Sequence, residues 1–128
     1  VRAIRGATTV ERDDPAQIIE RTQELVLAML EVNGMGQDAI VSAFFSATAD
    51  LRSISPATAA RRLGWTEVPL FGLAELDIEG ALGRCIRAMF HVEADRPRAS
   101  VRHVFLHGAV ALRPDLAAGP TTTPGSPS

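Results

Sequence analysis

Residues 84–92 (RCIRAMFHV) form an apolar run without glycine or proline, a pattern that predicts a strand inside a sheet rather than at its rim. Side chains on a strand alternate between faces, so Ile86, Ala88, Phe90 and Val92 point one way. Cys85, Arg87, Met89 and His91 point the other way. That alternation commits one face of the strand to a core and places an arginine among apolar neighbours on the opposite face. Burying a guanidinium is costly unless an anion meets it. Taken alone, the stretch fits an ion pair with a neighbouring strand, or a side chain that snorkels out from the strand end.

The remaining segments supply the rest of a sheet and two helices. Residues 1–10 (VRAIRGATTV) read as a first strand, with Arg2 and Ile4 on the opposite face from Ala3 and Arg5. Gly6 within it would admit close approach of a ligand or another backbone. Asp13 and Asp14 offer a helix cap before Pro15. Ile18, Ile19, Thr22, Leu25, Val26, Met29 and Leu30 then recur at helical spacing, up to a stop at Asn33 and Gly34. A second strand is expected over 38–48, a polar connection over 50–55, and a short helix over 57–63, with Ser55 and Pro56 as its start and Gly64 as its end. A short strand at 68–71 should stop where Gly72 turns the chain, followed by loose turns through Gly80. Residues 95–99 read as a loop, 101–107 as another strand and 109–112 as a further extension of the sheet. Strand, helix, strand, helix and then mainly strands make an α+β domain, with one long and one short helix on one face of a mixed sheet. The domain spans residues 1–116. Residues 117–128 are rich in Gly, Pro, Ser and Thr and are expected to form a disordered tail.

Composition narrows the chemistry. The net charge of −2 gives no reason to expect a nucleic-acid partner. No apolar run approaches the roughly 20 residues that span a bilayer. One cysteine fits a reducing compartment, and residues 1–10 carry no basic-then-apolar signal pattern, so a cytoplasmic location is expected. All 13 basic residues are arginines, and lysine and tyrosine are absent. Lysine Schiff bases and tyrosine acids or bases are therefore excluded, whereas planar, two-pronged binding of carboxylates is well provided for. Neither a phosphate-binding glycine loop nor a nucleophile elbow nor an H-E-x-x-H motif is present. His91, His103 and His107 are too scattered to argue for a metal, and Cys85 reads as packing. Arginines, a glutamate and short apolar strands can hold a small dianion without acid–base or nucleophilic work, and no cofactor is called for.

Several blocks occur together and in order: IRGATTVE (4–11), SATADL (46–51), GWTEVP (64–69), CIR (85–87), RHV (102–104) and LRPDL (112–116). In these the chain resembles the monofunctional, Bacillus-type chorismate mutase family over nearly its whole length before the tail. The resemblance implies a homotrimer with a barrel-like core and active sites between subunits. It also implies rearrangement of chorismate to prephenate, on the shikimate route to phenylalanine and tyrosine. That reaction is intramolecular and needs no metal, covalent intermediate or proton transfer.

Carried over by position, the resemblance makes Arg87 the cation at the breaking ether bond and Arg5 a carboxylate binder. Glu75 becomes the acceptor for the ring hydroxyl. Arg61 and Arg113 fall near the site entrance, with Ala57, Thr58, Phe71, Gly72 and Phe105 lining the pocket. Four positions depart from the family pattern. Phe105 stands where a tyrosine is frequent, Gly72 where a cysteine is, Thr58 where a lysine is and Ser55 where a phenylalanine is. These changes leave the reaction class intact and bear on substrate affinity and water exclusion. The competing readings are a trimer of the same fold that binds a small carboxylate without turnover, and a hydrolase or deaminase, for which only Glu75 is available to activate water.

Overall fold

A computed structural model of the chain describes residues 1–112. The expectations for Arg113 and for a tail at 117–128 concern positions outside that range. A five-stranded sheet in the order β3-β2-β4-β1-β5 is built from β1 (Arg2–Thr9), β2 (Ile40–Ala47), β3 (Leu70–Ala74), β4 (Cys85–Val92) and β5 (Val104–Phe105). β4 lies at the centre, antiparallel to both β1 and β2, while β2 and β3 run parallel, as do β1 and β5. The sheet is therefore mixed and the architecture α+β, with the apolar stretch at 84–92 as its central strand.

Helix α1 (Pro15–Glu31) starts where the sequence places it. The Asp14 carboxylate accepts the Gln17 N–H at 3.0 Å, satisfying a donor that the first turn leaves unpaired. Its buried stripe of Ile18, Thr22, Leu25, Val26, Met29 and Leu30 covers one face of the sheet. Beneath it lie Ile4, Phe45 and Phe90, each no more than 1% exposed. Full burial of a side chain of this size is worth roughly 1.5–3 kcal/mol. The glycine at position 6 serves this packing, because a Cβ there would run into Met29 Sδ. The close approach anticipated at Gly6 is thus that of α1. Helix α2 (Ala57–Arg62) packs beside α1 on the same face. It begins at Ala57 as expected, with the Ser55 hydroxyl accepting the Ala57 N–H at 3.3 Å, and it ends one residue early, at Arg62, before Gly64 takes a φ of +89°.

Three expectations are corrected. Gly72 does not turn the chain: β3 runs to Ala74, with Gly72 paired to Phe45 in a parallel ladder. The strand at 101–107 shrinks to Val104–Phe105. Residues 109–112 do not extend the sheet but belong to a 3₁₀ helix, His107–Leu112, that folds Ala109 against Ala7 and Cys85. The 3₁₀ turn buries Ala109 completely. Among the described residues no helix is long and apolar enough to cross a membrane.

Candidate active site

The face of the sheet away from the helices is set by cross-strand register. Arg5 pairs with Met89 and Ala7 with Arg87; Phe44 pairs with Met89 and Ser46 with Arg87; Phe71 pairs with Phe44 and Leu73 with Ser46. Paired residues share a face, so these side chains form one surface. A cavity of about 370 Å³ opens on it, with Arg5, Arg87, Phe105, Ser46, Leu73 and His91 in its wall. The floor is rigid because β4 is bonded to strands on both sides.

Arg87 is the half-buried cation of this cavity. Glu75 Oε2 lies 2.6 Å from its Nε. The approach is off the N–H axis, and the buried Nε has no aligned hydrogen-bond acceptor among the described residues. Glu75 follows β3 directly, and its main-chain N–H extends the β2–β3 ladder to Ala47 O at 3.1 Å. Its carboxylate therefore reaches back across β2, where the Ser46 hydroxyl donates to Oε1 at 3.0 Å. Ser46, Glu75 and Arg87 form a continuous polar row over two strands. The ion pair anticipated for Arg87 is present, but its partner comes from beyond β3 rather than from an adjacent strand.

Arg5 is fixed through its backbone, whose N–H donates to His103 Nδ1 at 3.0 Å. Phe105 pairs with Ala7 and packs on the small cluster of Ala7, Cys85 and Ala109. Of the remaining histidines, His91 Nδ1 lies 3.1 Å from the Ser42 hydroxyl with its ring edge-on to Phe44. His107 starts the 3₁₀ helix at a φ of +50° and meets Glu24 at 2.8 Å. Burial pushes the Cys85 thiol up from its usual range, partly offset by the Arg87 charge. This disfavours a thiolate nucleophile. No grouping of three or more His, Cys, Asp or Glu able to hold a metal occurs among the described residues.

The sequence-derived candidates thus fall into two sets. Arg5, Arg87 and Phe105 line one cavity, with Glu75 attached to it through Arg87, and Phe71 stands on the same face, edge-on to Phe44. Ala57, Thr58 and Arg61 sit on α2, where Ala57 is 2% exposed in the core and Arg61 is exposed. None of the three borders the cavity. Gly72 lies on the helix side of β3, in a second hollow with Ser55, Pro56, Leu51 and Thr48. Ser46 and His91 were not anticipated in the wall. The alternation of β4 places His91 beside Arg87, whereas a lone serine on a strand carries no such signal.

Comparison with known proteins follows the same line. Residues 1–116 match the family described as chorismate mutase type I. The chain is 44% identical over 117 residues to chorismate mutase AroH of Bacillus subtilis (strain 168), covering 91% of this chain and 92% of that protein. It is 47% identical over 117 residues to chorismate mutase AroH of Thermus thermophilus, covering 91% of this chain and 96% of that one. Among solved structures, a chorismate mutase from Clostridium thermocellum superposes with a TM-score of 0.85 at 44% identity, over 87% of this chain and 99% of that chain.

Proposed function

This chain belongs to the chorismate mutase type I family, and on that premise we propose that chorismate rearranges to prephenate in the cavity above Arg87. The observation that carries this reading is the polar row on a rigid floor. A guanidinium on the central strand, steadied by Glu75 at 2.6 Å, faces the cavity that Arg5 also borders. The activity belongs to aromatic amino-acid biosynthesis, on the way to phenylalanine and tyrosine.

The rearrangement breaks a C–O bond and forms a C–C bond within one dicarboxylate. Two tasks fall to the protein: selecting the compact, chair-like conformer, and stabilising the negative charge that grows on the ether oxygen. Arg87 answers that oxygen and a carboxylate. Its terminal nitrogens offer the planar fork to the substrate, while the buried Nε stays beside Glu75. Arg5 takes the enolpyruvyl carboxylate, Glu75 accepts the ring hydroxyl, and Phe105 supplies an apolar wall.

The site is completed between subunits of a homotrimer, with Thr58 and Arg61 of one copy facing the arginines of another. Two features support this. The α2 residues lie away from the cavity of their own chain. The open face also carries Phe71 at 59% exposure and Leu73 at 50%, with Met89 at 36% beside them, a patch that an isolated protein seldom leaves to water.

The test is direct: purified protein is mixed with chorismate, and its disappearance and the appearance of prephenate are followed by absorbance. Turnover at catalytic enzyme concentration is the expected result. Tight binding without turnover would instead make this a carboxylate-binding trimer of the same fold.

A further inference from the structure

We infer that Ser46 is a positioning residue of this site, acting on the reaction through Glu75. Its hydroxyl donates to Glu75 Oε1 at 3.0 Å, while Oε2 of the same carboxylate lies 2.6 Å from Arg87 Nε. Ser46 is also the cross-strand partner of Arg87 and borders the cavity. One serine thus stands beside both charges.

Glu75 lies just past the end of a strand and joins the sheet through a single main-chain bond to Ala47. Its side chain has torsional freedom that this bond does not restrain. Attraction alone would draw both oxygens onto the guanidinium, which presents a fork suited to a bidentate carboxylate. A carboxylate seated in that way would occupy the donors meant for the substrate. The Ser46 hydroxyl, offered from an interior strand, competes for one oxygen with a charge-assisted bond. It thereby holds the carboxylate to one side of Arg87, leaving the fork open and an acceptor edge towards the cavity. The consequence is a pre-set angle between acceptor and cation, which catalysis by positioning requires.

The assignment rests on Glu75 acting in the site as proposed above, and a double-mutant cycle separates the two claims. Ser46→Ala, Glu75→Ala and the double variant are compared with the parent at a temperature where all four are folded and assembled. Ser46→Ala is expected to lower kcat by about tenfold to a hundredfold, the scale of a misplaced catalytic group, with KM changing less. Ser46→Thr, which retains the hydroxyl, should recover most of that loss. In the Glu75→Ala background the serine substitution should have almost no further effect. Additive losses would overturn the inference, as would a wild-type kcat for Ser46→Ala beside an impaired Glu75→Ala. Wild-type kcat and KM for Glu75→Ala would instead overturn the role proposed for Glu75 itself.

Discussion

At the scale of single residues, Arg87 combines a fixed backbone with a side chain 39% exposed, so its charge is available without being free to wander. Arg87→Ala should lower kcat by at least about a hundredfold, the usual cost of one preorganised electrostatic donor, while raising KM much less. Arg87→Lys should restore only part, since an ammonium cannot bridge ether oxygen and carboxylate as a planar fork does. Steady-state kinetics distinguish this from a binding anchor, for which KM would move and kcat would not. Phe105→Tyr should lower KM: a phenol hydroxyl on the cavity wall can meet a substrate carboxylate, and such a bond is worth up to about 1.5–3 kcal/mol. Unchanged KM with a lower Tm would make the ring a packing element of the Ala7–Cys85–Ala109 cluster. That Arg5, Arg87 and Glu75 come together was legible because the chain resembles a family and because alternation put Arg87 on a named face. Ser46 was not legible as a partner, since its role depends on how far a carboxylate beyond β3 reaches back, which no local pattern encodes.

At the scale of elements, α2 is held in place by the segment before it. The Asp13 carboxylate accepts the Arg52 and Ser53 N–H groups, each at 3.0 Å. A hydrogen bond from the Ser53 side chain is the largest cause of its pKa lying below the ordinary 3.8, followed by these two backbone bonds. A carboxyl whose pKa falls on folding stabilises the native state above its unfolded pKa and loses that contribution as pH drops through the lower folded value. Stability measured by denaturant titration should therefore decline below about pH 4, near the model-peptide range for an aspartate. Asp13→Asn should be less stable than the parent at neutral pH and show a shallower acid decline. An identical acid limb in the variant would remove Asp13 from the account. Elements with sustained periodicity, α1 and the strands β1, β2 and β4, could be read in the sequence because propensity and burial agreed there. β3 was misplaced because glycine signals a turn on its own, whereas a parallel ladder against Phe45 tolerates it. Residues 109–112 misled for the opposite reason: a short apolar run fits a strand or a 3₁₀ turn equally well, and tertiary burial of Ala109 decided the matter.

At the scale of the whole molecule, the sheet has one face sealed by helices and one left open, where Phe71, Leu73 and Met89 are exposed beside the polar row. If a trimer closes over the open face, sedimentation or light scattering should return three times the 13.6 kDa chain mass, and a stable, active monomer would refute the assembly. Phe71→Asp should dissociate the trimer while leaving the circular dichroism of the protomer intact, because the side chain is 59% exposed in its own chain. The assembly could not be read from periodicity, which reports a face as apolar without saying what covers it. The central strand has one more consequence. Cys85, the only cysteine in the sequence, is 1% exposed and its thiol is pushed up by burial. Alkylating reagents attack the thiolate, so at neutral pH the folded chain should be inert to iodoacetamide and react only when β4 parts from its neighbours. The protein therefore carries its own clock: the alkylation rate, followed by mass spectrometry without any engineered probe, counts openings of the core, and a substrate that tightens the site should slow it.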